Sequence, residues 1–169
     1  MINWIWFPKS DEATELARKV VQVFENAADE IDSTTHPKQE SDEVLAKLAK
    51  GLSDSGFAVE TGKKRNEKIR VPVLFGMNGR PEKSFDADAY HRQEGFVVEV
   101  EAGRGYTNYH FLKDLFEACM MHGVTCLAVA VRNDYRGNAD FEKVVKFMDT
   151  LYASNRLNLP LKGLLIIGY

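Results

Sequence analysis

Six consecutive apolar residues, Cys126-Leu127-Ala128-Val129-Ala130-Val131, constrain this chain more than any other stretch. A strand with one wet face alternates apolar with polar side chains, so an unbroken apolar run of this length fits a central strand covered on both faces. A helical pattern over residues 108–122, with Gly123 as its stop, precedes the run. A second helical pattern over residues 141–153 follows it and leads to a last strand at 164–167. Strand, helix and strand in this order make a βαβ crossover, so helices are expected on either side of a mixed sheet. With 169 residues, 44% of them hydrophobic, the chain has the size of one domain and can bury a substantial core.

The first half is read from helical spacing and from turn residues. Ser10 is placed to cap a helix whose Ala13, Leu16, Ala17, Val20, Phe24, Ala27 and Ile31 share one face. A polar connector containing Pro37 follows, and Ser41 then starts a second helix through Val44, Leu45, Leu48 and Leu52, ending at Gly56. Residues 1–40 thus read as an N-terminal helical extension of a single domain spanning 1–169. Strands are expected at 57–60 and 69–75, joined by a basic loop. Pro72 carries no backbone donor and marks the second of these as an edge strand or a bulged one. Two more strands, at 84–90 and 96–102, flank the turn Arg92-Gln93-Glu94-Gly95 and form a hairpin.

That hairpin carries the chemistry. Side chains alternate along a strand, so Asp86 and Asp88 share a face, as do Glu99 and Glu101. If the turn is a four-residue loop, Ala89 meets Val98 and Ala87 meets Val100, which puts Asp88 opposite Glu99 and Asp86 opposite Glu101. Carboxylates opposed in this way repel and compete for protons, and they need a cation, a proton or good solvation. Solvation alone would make this the outer face of a hairpin. A cation would be a hard one, since oxygen-only ligands suit Mg²⁺ or Mn²⁺ rather than zinc. Such ions activate water and stabilise charge on a phosphodiester.

The order of elements across residues 41–131, with Asp88 in Phe85-Asp86-Ala87-Asp88-Ala89-Tyr90 and the Glu99-Val100-Glu101 strand before a polar loop and a helix, resembles the PD-(D/E)XK nuclease core. The resemblance implies a restriction-endonuclease-like α/β fold, a three-layer core with a mixed central β-sheet flanked by helices. It implies a Mg²⁺-dependent (or Mn²⁺-dependent) endonuclease acting on DNA. In it Asp88 and Glu99 would ligate the metal, joined by the Val100 carbonyl, with Asp86 as a substitute for Asp88. Glu101 stands where most of the family has Lys, and it would bind metal or take a proton from the attacking water. Lys113, on the following helix, could replace the missing Lys from outside the strand. Glu43 matches the acid that family members often carry on the helix before the first strand, although favourable charge at a helix N-terminus accounts for it equally well.

Arg104, in Gly103-Arg104-Gly105 beyond the acids, is the cation best placed to hold a scissile phosphate. Lys63, Lys64 and Arg65, with Lys68 and Arg70 beyond them, form the one dense basic stretch; it could grip backbone phosphates or simply keep a turn soluble. Tyr106, Tyr109, His110 and Phe111 put aromatic rings beside the site, with Phe111 assigned to the core. Neither His36 nor His91 has a visible Ser, Cys or Asp partner, His122 reads as a helix C-terminal residue favoured by the dipole, and no histidine is assigned a catalytic role. The net charge of −3 argues against a general polyanion binder, so nucleic-acid contact must come from a local patch. Cys119 and Cys126 lack companions for a disulfide framework or a zinc site, which fits a reducing cytoplasm. Neither a membrane span nor a signal peptide is read at Met1-Ile2-Asn3-Trp4-Ile5-Trp6-Phe7-Pro8 or elsewhere. A homodimer or a targeting protein is the expected partner besides DNA. The rival readings are a catalytically inactive nuclease-like module that binds nucleic acid or a protein, and an unrelated interaction domain with solvated acids.

Overall fold

The structure is a computed structural model and describes residues 1–103, 106 and 108–169. Its elements are β1 (Asn3–Phe7), α1 (Glu15–Asn26), α2 (Ala28–Ile31), α3 (Ser41–Asp54), β2 (Ala58–Val59), β3 (Ile69–Phe75), β4 (Pro81–Ala87), β5 (Ala89–His91), β6 (Phe96–Glu101), α4 (His110–Met120), β7 (Cys126–Val131), α5 (Asp140–Ser154) and β8 (Gly163–Gly168). Six strands form one sheet in the order β1-β8-β7-β6-β5-β2, and β3 pairs with β4 in a separate two-stranded ribbon. The strands β6, β7 and β8 run parallel, while β1, β5 and β2 pair antiparallel at the two sides. The fold is α/β with a mixed sheet, as expected. Among the described residues no helix is long and apolar enough to cross a membrane.

The strand β7 is buried along its whole length, and its alternate residues serve two cores. Cys126, Ala128 and Ala130 pack against α1, α2 and α3. Leu127, Val129 and Val131 pack against α4 and α5. Successive crossovers in a sheet that grows in one direction, here β6 to β7 to β8, place their helices on the same face. The opposite face would be bare without the N-terminal helices. The long apolar stripe of α1, with Val20 and Phe24 fully buried, supplies that cover.

Residues 1–40 are therefore part of the core, and the expectation of an appended helical extension is corrected in two ways. The aromatic start is strand β1, which pairs antiparallel with β8 from Asn3↔Gly168 to Phe7↔Leu164. The helix cap is Thr14, whose Oγ1 accepts the Ala17 N–H at 3.1 Å, rather than Ser10. The helix α3 likewise takes its N-cap from Glu40, one residue before Ser41. The mark left by Pro72 is as read: it lies in the two-stranded ribbon, with a register shift between Pro72 and Leu74.

Where β1 meets β8, the ring of Trp6 lies flat over Gly163, and a Cβ built on Gly163 would stand 1.9 Å from it. Trp6 is 6% exposed and packs in the core that α1 covers, so Gly163→Ala is expected to cost about 2–3 kcal/mol through overpacking. Urea unfolding reads this directly, and an unchanged midpoint would show that β1 can leave the sheet edge at little cost.

Candidate metal centre

The chain running from β4 into β5 leaves one sheet and enters another, and Asp88 is the residue between them. Ala89 pairs with Val98, the register expected from the turn. Beyond that pair the alternation breaks. Ala87 is buried in the core on the α4 side and Ala89 in the core on the α1 side, although strict alternation puts both on one face. The Val100 N–H, lying past the end of the β5–β6 ladder, is taken by the Asp88 carboxylate at 2.7 Å. A side chain thereby does what a strand partner would have done.

The break removes Asp86 from the expected four-acid face. Asp86 pairs across the ribbon with Arg70, their charged groups 3.9 Å apart, and its side chain is half exposed. Its place is filled from the helix layer by Asp114 of α4, which is 6% exposed. Glu99 and Glu101 point to the α4 side of β6, opposite in sense to Val98 and Val100. The cluster is thus Asp88, Glu99, Glu101 and Asp114. Asp114 is not among the acids expected from the hairpin, yet it has a signal in the sequence: Phe111, Asp114, Leu115 and Ala118 stand at i, i+3, i+4 and i+7, so an acid interrupts the buried stripe of a helix.

The second ring of charges is mixed. The Nζ of Lys113 lies 3.9 Å from Asp114 Oδ1 and 3.5 Å from Glu117 Oε2, while its side chain stays largely exposed. Nδ1 of His110 lies 3.4 Å from Glu101 Oε2. The buried C-terminal Tyr169 donates its hydroxyl to the Glu101 carbonyl at 3.0 Å and pins the end of β6. Glu60, whose N–H bonds to the Asp88 carbonyl at 2.8 Å, carries an almost buried carboxylate paired with Lys68 at 2.7 Å. Glu43 is spent elsewhere: its carboxylate accepts the Glu40 N–H at 2.9 Å in a capping box, which corrects its reading as a site acid. Val100 contributes its N–H to Asp88. Lys63 pairs with Asp42 at 3.0 Å and Lys64 is exposed at the turn, while Arg65 lines a groove with Lys113. Arg104 lies outside the described residues.

Burial sets the electrostatics. It pushes the Asp88 carboxyl up to about 7, against the pull of the Val100 N–H, with Glu60 and Asp114 adding to the rise. It drives Glu99 well above the ordinary range, helped by Asp88 and Asp114. Asp114 rises to about 8 through burial and then through Glu101, and Glu101 rises to about 6 through burial while its bond with Asp114 holds it back. Glu101 and Asp114 interact, so these two values belong to the pair and not to either acid alone. As a carboxylate, Asp114 leaves its Oδ2 buried without a donor. A proton or a cation would each satisfy it.

The donors fit a hard divalent cation in kind: they are oxygen-only, anionic and undercompensated. Among the described residues no three Asp, Glu, His or Cys side chains stand close enough together to hold an ion, so binding one requires these carboxylates to close up. No protein-family model matches the chain, and no curated protein matches it.

Raised carboxyl values make stability fall with pH. Between the ordinary value near 4 and the folded values of about 7 for Asp88 and about 8 for Asp114, the folded chain holds protons that the unfolded chain has released. Without divalent ions the protein is expected to be more stable at the acid end of that window than above it. Asp114→Asn keeps a donor for Glu101 and removes the charge; it should raise stability on the alkaline side by about 2 kcal/mol and flatten the profile. Chemical unfolding across the window checks both; stability that rises with pH would refute this account of the cluster.

Proposed function

We propose that this domain is a restriction-endonuclease-like, Mg²⁺-dependent (or Mn²⁺-dependent) nuclease that hydrolyses phosphodiester bonds of DNA. One observation carries the reading: a buried set of undercompensated carboxylates, Asp88, Glu99, Glu101 and Asp114, at the C-terminal end of a parallel strand, where open α/β sheets bind ligands. The hydrogen bond that fixes Asp88 to β6 and the α/β architecture also accord with it.

Asp88 and Glu99 would hold the ion, with the Val100 carbonyl available between them. When bound, the metal supplies charge for the developing oxyanion and lowers the pKa of water. The Glu101 carboxylate, raised to about 6, is basic enough to take a proton from an attacking water near neutral pH. Asp114 keeps Glu101 aligned and exchanges that proton with it. Lys113, exposed at the rim, meets the phosphate and supplies the positive charge that most of the family carries on the strand. A chain this small that cuts both strands of a duplex would act as a homodimer or with a targeting partner.

A second reading, a nuclease-like module that binds nucleic acid or protein without turnover, is favoured by the spacing of the acids, no three of which stand close enough to hold an ion among the described residues. Incubation with supercoiled and linear DNA, single-stranded DNA and RNA, each with Mg²⁺, Mn²⁺ or EDTA, separates the two. Cleavage is expected with either ion and none in EDTA. Glu99→Gln and Asp88→Asn should each lower it by about 100-fold or more, the scale on which loss of an essential charged group is felt. Folded protein that cuts nothing under any of these conditions would transfer the assignment to the noncatalytic module.

A further inference from the structure

A groove of about 630 Å³ opens beside the acid cluster, between the loop at residues 61–68, the β3–β4 ribbon and α4. Its cationic lining is Lys63, Arg65, Lys68, Arg70, Lys83 and Lys113, with Asp86 and Glu117 the acids on its wall. That is six cations against two acids in a chain whose net charge is −3. Lys63, Lys68, Arg70 and Lys113 are held by acid partners. Among the described residues Arg65 and Lys83 make no ion pair, although Lys83 rests over the Phe85 ring at 5.1 Å. Lys83 lies outside the basic stretch of the sequence, and the pairing of β4 with β3 brings it to the same wall.

The ribbon has a base and a free end. Its base is anchored where Val71 and Ala87 enter the core and where the Pro72 carbonyl accepts the His122 N–H at 2.7 Å. Its far end shows Leu74 and Met77 to solvent at 57% and 85% exposure, with Arg80 exposed next to them, while the half-exposed Phe75 sets its ring edge-on against His122 at 5.1 Å. Exposed apolar side chains at the tip of the ribbon, beside a cation, are ill suited to water and well suited to a base edge such as the thymine methyl.

We infer that this groove is the track for the phosphate backbone of duplex DNA, and that the β3–β4 ribbon is the arm that enters the duplex groove. B-form DNA has a major groove wide enough for a two-stranded ribbon, whereas the major groove of an A-form RNA duplex is too narrow. Lys113 sits at the junction, lining the groove and facing the acids, so a strand in the track is led to the cluster. The inference rests on the nuclease reading for its destination; its test is binding without divalent ions, so track and cleavage stand or fall separately.

The probe is a DNA duplex of about three helical turns, followed by fluorescence anisotropy in EDTA between about 50 and 200 mM salt. Arg65→Glu with Lys83→Glu is compared with Lys19→Glu and Lys162→Glu, which make the same change in net charge at exposed positions outside the groove. The groove pair is expected to weaken binding by about tenfold or more and to make the salt slope shallower by about two, near 0.9 for each lost phosphate contact. The distant pair should have little effect. Equal losses from both pairs, or a wild-type protein that binds no DNA, would overturn the track. An RNA duplex bound as tightly, and lost equally on reversing the groove pair, would overturn the ribbon's entry into DNA.

Discussion

The hydrogen bond from the Val100 N–H to the Asp88 carboxylate, 2.7 Å long, decides how the two sheets meet. A strand that continued unbroken from β4 through β5 would carry Ala87 and Ala89 to one core and leave the ribbon no reason to separate. With the carboxylate in the partner's place, the chain turns out of the main sheet without leaving a buried donor bare. The ribbon then forms a sheet of its own, packed on the α4-side core through Val71, Val73, Phe85 and Ala87. The same bond holds an acid where the sheet ends and where Glu99, Glu101 and Asp114 come near it.

That arrangement opposes folding on its own terms. Burial raises every carboxyl in the cluster, so each keeps its proton further toward neutrality than an exposed acid does, and each costs stability when it finally ionises. Hydrophobic burial elsewhere must offset this, which the two cores on either side of β7 are large enough to do. Groups kept at such values by a fold that could have solvated them are the usual mark of a site selected for chemistry or ligand binding, although ion-pair networks shift acids too.

Much of the fold was legible because it is written in periodicity. The buried run of β7, the helical stripes of α4 and α5, the register at Ala89↔Val98 and the consequence of Pro72 follow from spacing alone. What escaped depends on tertiary context. Nothing local in Asn3-Trp4-Ile5-Trp6-Phe7 says that it completes a sheet edge 160 residues away, since its partner β8 is equally apolar and could have been an edge itself. The break at Asp88 was invisible for a different reason: alternation through Asp86 and Asp88 is intact in sequence, and only the departure of β4 to a second sheet reverses it. Glu43 shows how one residue can satisfy two rules, with the local one, the capping box, prevailing.

The acids and the cations of this domain explain each other's placement. Buried carboxylates in a chain with net charge −3 create a negative field that repels anions, and the basic groove beside them opposes it. Lys68 and Lys113 provide the seam: Lys68 binds Glu60 behind Asp88, and Lys113 lies against Asp114, while both also line the basic groove. Screening confines such fields to about 10 Å at ordinary salt, so the cations can act only because the ribbon and α4 bring them to the rim of the cluster. The separation of β3–β4 from the main sheet, which the broken strand at Asp88 makes necessary, is therefore also what gives the acids a positively charged approach.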